Sequence, residues 1–248
     1  MSTAPSAAET RVVAASLLIL VALCWWWIVA MAGDMYGPMT GAAAWMMTRR
    51  WDWPHMALLF AMWSAMMVGM MLPSAVTAIV SYGRTHHRTP ATRVAPMGAF
   101  VAAYVLVWML FSLATTLAQR VLYELHLLTP MMEPATTALA GGLLLTAGVY
   151  QLLPFKRTCL ASCRDLAGLW RQDRTSAEAF RIGMHYGRAC LASNWLLMLL
   201  LFAGGVMNLA LIAALTGIVL FEKVAPPGVR STWVTGGVLV GLSFWMLG

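Results

Sequence analysis

Three cysteines and one histidine in the second half of the chain have residue types that bind soft metal ions. Cys159 and Cys163 are four residues apart, so they share a face if this segment is helical, and His185 precedes Cys190 in a later segment. Thiolate and imidazole are ligands for Cu(I) and Zn²⁺. We predict a metal site from these four residues. Ordinary structural thiols are the alternative, because a single C-x3-C pair is weaker evidence than paired C-x2-C motifs.

Basic residues flank the C-x3-C pair. Lys156 and Arg157 precede it, and Arg164 follows it directly. A neighbouring cation favours the thiolate, which is the form of cysteine that binds metal. We therefore expect these three side chains to promote ionisation of the cysteines.

A second set of possible ligands lies in two segments that are predicted to meet at the opposite membrane face. Asp34 and Met35 follow the first apolar stretch, and His126 and Met131 follow the third. Their carboxylate, imidazole and thioether groups can bind copper. Ordinary residues of the membrane interface are the alternative interpretation.

Methionines recur every four residues in the second apolar stretch. Met62, Met66 and Met70 therefore lie on one helix face, where their thioethers could bind Cu(I) or fill a packing seam. Pro73 cannot donate a hydrogen bond to the carbonyl of Gly69. We expect a bend of more than ~20° here, and a freed carbonyl that takes a partner or marks a hinge.

The composition indicates that lipid surrounds the elements that position these residues. Hydrophobic residues make up 61% of the 248, and charged residues only 10%, against about 25% in soluble domains. The sequence predicts an all-α, polytopic transmembrane helix bundle forming one domain over 1–248. Six apolar stretches are visible, and we divide the longest at Gly204-Gly205, because two glycines weaken a helix. The seven predicted spans are 12–32, 56–80, 97–118, 135–153, 180–203, 206–221 and 233–247; without the division there are six.

The basic residues predict the orientation. With seven spans and a cytoplasmic N-terminus, 13 of the 16 Lys and Arg residues lie on the cytoplasmic side, as the positive-inside rule requires. Arg outnumbers Lys 14 to 2, which is typical of GC-rich bacterial genomes. We therefore expect a multi-pass protein of a bacterial inner membrane. The net charge of +7 reflects topology, and nucleic acid is not an expected partner.

Several functions are disfavoured by what the sequence lacks. No Asp, Glu, Lys, Arg or His lies near the middle of a predicted span, which argues against a proton-coupled transporter and against haem held between two buried histidines. We find no nucleophile–base pair, phosphate-binding loop or carboxylate dyad, so an enzyme or a nucleotide-binding protein is not expected.

Three sequence blocks resemble a known family. The blocks are Met62-Trp63-x-x-Met66-x-x-Gly69-Met70-Met71-x-Pro73-Ser74, then Tyr150-Gln151-x-x-Pro154-x-Lys156-x-x-Cys159-Leu160-x-x-Cys163-Arg164, then Cys190, Trp195, Met198, Gly205-Val206-Met207-Asn208 and Glu222-Lys223. In order and spacing they resemble an uncharacterised bacterial family of predicted metal-binding integral membrane proteins. That family pattern has two further cysteines before the tryptophan of the third block, where this chain has Ser193 and Asn194.

The leading hypothesis is a metal-associated membrane protein that handles copper, with zinc a weaker alternative. The first alternative is a non-catalytic accessory subunit of a larger membrane complex or a homo-oligomer. Gly237-x-x-x-Gly241 suits such helix association. The second alternative is a small-molecule transporter with gates at Pro73 and Gly204-Gly205.

Overall fold

The computed structural model describes residues 7–36, 51–85, 90–129, 132–164, 175–225 and 231–247. These residues are almost entirely helical, and no strand occurs among them beyond an isolated bridge between Leu128 and Pro134. The predicted all-α class is therefore confirmed. The helices are α1 (Ala7–Tyr36), α2 (Trp53–Thr85), α3 (Pro90–Glu124), α4 (Thr137–Leu152), α5 (Pro154–Arg164), α6 (Ser176–Leu199), α7 (Leu201–Gly204), α8 (Leu209–Val224) and α9 (Ser231–Leu247).

Four helical segments in the described part of the chain are long and apolar enough to cross a membrane. They are Ala15–Met35, Trp53–Val76, Ala95–Glu124 and Ser176–Gly204. A fifth span results if α4 and α5, which meet at 65°, form one broken span. Helices α8 and α9 have 16 and 17 residues, fewer than the ~20 that cross a typical hydrocarbon core. The structure thus supports a membrane protein, while seven spans remain a prediction.

The long apolar run is interrupted at its glycine pair. Helix α7 ends at Gly204, and Gly205 has a φ of 90°, a left-handed conformation that glycine adopts without strain. Asn208 then caps α8 by accepting a hydrogen bond from the Leu211 amide at 3.1 Å. The apolar run is therefore divided here, and α8 packs against α2.

Two glycines of α6 allow this helix to pack closely against α3. The largest interface joins α3 to α6. A Cβ atom on Gly183 would meet the main chain of Phe100, and one on Gly187 would lie 2.9 Å from Val107 Cγ2. Only residues without a side chain permit this spacing, which brings the facing side chains of α3 and α6 into contact.

The methionines of α2 are buried. Met62, Met66 and Met70 are each at most 1% exposed, and Met67 and Met71 are also fully buried in the core. A methionine-rich core is compatible both with packing and with soft-metal binding, so the ligand role of these three residues remains a prediction.

Helix α2 continues through Pro73, and the carbonyl that the proline frees has a partner from another helix. Trp25 of α1 donates its indole Nε1–H to the Gly69 oxygen at 3.2 Å. The expectation that this carbonyl takes a partner agrees with this contact, whereas the bend angle at Pro73 remains a prediction.

We expect Trp25→Phe to lower the free energy of unfolding by about 1 kcal/mol, because the Gly69 carbonyl then loses its hydrogen bond. Unfolding in SDS, followed by circular dichroism, measures the change. Trp26→Phe is the matched control, because Trp26 is 70% exposed. Equal stability of the two variants would contradict a role for this hydrogen bond.

The glycines of α9 lie on two different faces of the helix. Gly236 of α9 lies against the Gly148 oxygen of α4, while Cβ atoms on Gly237 and Gly241 would meet nothing within 4 Å. Within this chain, α9 therefore packs through Gly236. The face of Gly237 and Gly241 is open in the described residues, and its association with another helix remains a prediction.

Candidate metal centre

Two of the three predicted cysteines come together where α2, α3, α5, α6 and α8 converge. Cys190 of α6 is fully buried, and Cys163 of α5 is 4% exposed. The two thiols are close enough to interact with each other. Lys223 of α8 places its Nζ 3.0 Å from Cys190 Sγ. We call Cys163, Cys190 and Lys223 the thiol centre.

Polar groups from three helices complete the surroundings of Cys190. The Tyr104 hydroxyl lies 3.4 Å from Cys190 Sγ and 3.1 Å from the Met71 carbonyl oxygen, and its single proton serves one of them. The Asn194 amide Nδ2 lies 3.9 Å from the sulfur. Donors directed at a sulfur stabilise the thiolate relative to the thiol, so Cys190 is the place where negative charge is best accommodated.

The Lys223 ammonium is held by three groups. Besides Cys190, it donates to Ser74 Oγ at 2.9 Å, and it lies 5.5 Å from the centroid of the Tyr186 ring. Ser74 in turn donates to the Met71 carbonyl at 2.7 Å. The positive charge of Lys223 therefore has a fixed position beside the sulfur.

Ser193 and Asn194, where the chain departs from the family pattern, lie at this centre. Ser193 Oγ and Asn194 Nδ2 each donate to the Cys190 carbonyl at 2.9 Å. Ser193 also forms a side-chain hydrogen bond with Cys163. Both residues are buried, so oxygen and nitrogen atoms stand next to the two thiols.

A buried ion pair fixes α5 against the last turn of α8. Lys156 Nζ lies 2.7 Å from Glu222 Oε2, and both side chains are completely buried. Arg164, at the other end of α5, donates to the main-chain oxygen of Glu222. Glu222 and Lys223 are adjacent, so one residue holds α5 while the next contacts Cys190.

These contacts correct the expected role of the basic residues around the C-x3-C pair. Lys156 and Arg164 face Glu222 on α8, and burial raises the pKa of the Cys159 thiol. The cation that contacts a cysteine is Lys223, which is distant in sequence. Lys156 lies outside the predicted spans, yet it is 0% exposed and paired with Glu222.

The other two residues of the four predicted from sequence as metal ligands are less buried than Cys163 and Cys190. Cys159 is half-buried and His185 is exposed. No group of three or more His, Cys, Asp or Glu side chains that could hold a metal occurs in the part of the chain that the structure describes. Of the four predicted ligands, the structure brings Cys163 and Cys190 together, and metal binding by the full set of Cys159, Cys163, Cys190 and His185 remains a prediction.

The structure describes only part of the second predicted ligand set, which consists of Asp34, Met35, His126 and Met131. Asp34 is half-buried, Met35 is buried and His126 is exposed with a φ of 57°. Met131 lies outside the described residues. This set remains a prediction.

The sequence did not predict that Lys223 and Tyr104 contact Cys190, or that Ser74 contacts Lys223. The sequence feature that could have indicated a role for Lys223 is the pair Glu222-Lys223. This charged pair comes directly after an apolar run and falls in the third block. Nothing in the local sequence indicates that Tyr104 faces a cysteine or that Ser74 contacts Lys223.

The donor set of the thiol centre suits Cu(I). Thiolate sulfur is a soft ligand that selects Cu(I), whereas structural Zn²⁺ sites use four ligands in a tetrahedron. Two thiols close to methionine-bearing helices offer soft donors, without the four-ligand cage that a structural zinc site needs. The residues present thus fit copper as a bound cargo.

Comparison with known proteins agrees with this chemistry. A family model named PpoB2, described as copper chaperone, matches residues 60–246. Neither a curated protein nor a solved structure shows significant similarity to the chain. The match supports a copper-related family. Because it spans most of the sequence, the chain belongs to the PpoB2 family of copper chaperones.

Proposed function

We propose that this protein binds one Cu(I) ion between Cys163 and Cys190 and holds it for transfer at the cytoplasmic face of a bacterial inner membrane. The observation that carries this proposal is the meeting of two buried thiols from separate helices within the region matched by a copper chaperone family. No chemical conversion of a substrate is part of it.

The number of sulfur ligands supports a carrier role. A closed tetrahedral site holds its ion as part of the fold, whereas a site with few protein ligands leaves positions open to an incoming ligand. Two thiols satisfy Cu(I), a soft ion, while an incoming ligand can still approach. Such a site suits temporary binding followed by transfer to a partner.

The position of the centre supports access from one membrane face. Lys156, Cys163 and Arg164 belong to α5, a polar helix that lies outside the spans predicted from sequence. An ion that reaches Cys163 along α5 does not have to cross the whole hydrocarbon core, which is costly for a charge. The positive-inside rule assigns this face to the cytoplasm.

A titration of the purified protein with Cu(I) tests the proposal. Under anaerobic conditions in detergent, the protein competes with the chromophoric chelator bathocuproine disulfonate for copper. We expect one Cu(I) per chain, and a loss of affinity of about a hundredfold or more in Cys190→Ser and in Cys163→Ser, because each variant removes one of two ligands.

Two other cysteines provide matched controls. Cys24→Ser on α1 should bind copper as the unaltered protein does. Cys159→Ser, on the same helix as Cys163, should also retain the affinity. An equal loss in Cys159→Ser would favour the four-ligand site predicted from sequence over the two-thiol centre. Unchanged binding in Cys190→Ser would overturn the proposal.

A further inference from the structure

Lys223 is unusual because it places a positive charge where a metal cation is proposed to bind. Its Nζ lies 3.0 Å from Cys190 Sγ and 2.9 Å from Ser74 Oγ. The Tyr186 ring faces the same ammonium at 5.5 Å. A positive charge repels a bound metal cation, so metal binding alone does not explain why Lys223 lies beside Cys190.

The neighbouring charges are already balanced or add to that of Lys223. Glu222, the nearest carboxylate in sequence, is paired with Lys156 at 2.7 Å. Arg164 donates to the main-chain oxygen of Glu222 and is half-buried, so its positive charge acts in the same direction as that of Lys223. Tyr104 and Tyr186 are neutral hydroxyls. Among the described residues that contact it, the Lys223 ammonium therefore has the sulfurs as its potentially negative partners.

A charge count for the loaded centre distinguishes monovalent from divalent ions. When a metal binds both sulfurs, any thiol protons are released to solvent and the two thiolates carry two negative charges. One Cu(I) and the Lys223 ammonium then bring the sum over these four groups to zero; Arg164 is outside this count because it is half-buried and donates to the Glu222 oxygen. A Zn²⁺ ion in the same place leaves one positive charge uncompensated in a poorly solvated site, where unpaired charge is costly.

We infer that Lys223 is the specificity-determining residue of the thiol centre, and that its fixed positive charge makes the centre prefer Cu(I) over Zn²⁺. This inference rests on the proposed function, because it concerns the same two sulfurs. It adds the reason why the bound ion is monovalent. Lys223 touches a ligand in the metal-free protein and acts on the metal through charge.

The test compares the affinity of the purified protein for Cu(I) alone with that for Zn²⁺ alone, each by competition with a chromophoric chelator. In Lys223→Met, the ratio of Zn²⁺ to Cu(I) dissociation constants should fall by about tenfold or more, because the charge that opposes the divalent ion is gone. Lys223→Arg retains the charge and should retain most of the preference.

Two further variants separate charge from other effects. Lys223→Gln keeps a hydrogen-bond donor without the charge, so it should resemble Lys223→Met; it also replaces that variant if the latter fails to fold. Arg181→Met removes an exposed positive charge from the same helix as Cys190 and should leave the ratio unchanged.

The outcomes are distinguishable. If the unaltered protein binds no Cu(I), the proposed function is wrong and the inference falls with it. If the unaltered protein binds Cu(I) but Lys223→Gln and the unaltered protein show the same ratio of dissociation constants, only the inference about Lys223 is overturned.

Discussion

Replacing Glu222 by Gln should lower the free energy of unfolding by about 3–5 kcal/mol, because it leaves the Lys156 ammonium buried without its counter-charge. The two side chains form a 2.7 Å ion pair and are both 0% exposed. Glu222 Oε1 has no hydrogen-bond partner among the described residues, so the pair is the main compensation for the buried carboxylate.

SDS titration followed by circular dichroism measures this loss, and the chain supplies its own control. Arg120 and Glu124 form an ion pair at 2.9 Å with side chains 47% and 55% exposed. Glu124→Gln should therefore cost only about 0.3–0.5 kcal/mol. The double variant Lys156→Met with Glu222→Leu should recover most of the stability, because no unpaired charge remains. Similar losses in Glu222→Gln and Glu124→Gln would show that the buried pair does not hold α5 in place.

The same substitution connects stability to copper binding. Lys156 and Cys163 are on α5, and Glu222 and Lys223 are on α8. When α5 separates from α8, Cys163 moves away from Cys190. We therefore expect Glu222→Gln to weaken Cu(I) binding as well, and the double variant to restore it in part.

Gly183→Ala should destabilise the protein by about 3 kcal/mol, at the upper end of the range for overpacking. The added Cβ would meet the Phe100 carbonyl oxygen, and it would lie 2.9 Å from Ala103 Cβ and 3.0 Å from Phe100 Cα. Two of these neighbours are main-chain atoms, so no change of rotamer relieves the contact. Helices α3 and α6 must move apart, and with them Tyr104 and Cys190.

Gly98→Ala is the matched control for this change. Gly98 is on α3 near Phe100, is exposed, and would place its Cβ in open space. The substitution should be neutral or stabilising by up to ~1 kcal/mol, because alanine favours a helix more than glycine does. Unfolding in SDS compares the two variants; if Gly183→Ala is as stable as Gly98→Ala, the close approach of α3 and α6 is not required.

The sequence alone carries the features that depend on local chemistry. Apolar stretches long enough for lipid predict the helices around residues 15–35, 53–76 and 95–124, because hydropathy is a property of each segment by itself. The glycine pair at 204 and 205 predicts the break between α7 and α8. Thiols and thioethers predict soft-metal chemistry, because ligand type belongs to the side chain.

Which of these groups meet was decided only by the tertiary structure. Cys163 joins Cys190 while Cys159, four residues away, does not, because the docking of α5 on α6 and α8 selects the buried face. Lys223 contacts Cys190, which is 33 residues away in sequence, and it also contacts Ser74, which is 149 residues away. Lys156 lies outside the predicted spans, and only its pairing with Glu222 shows that a charged side chain can be fully buried here. Contacts between distant segments depend on helix packing, which hydropathy and spacing along the chain do not encode.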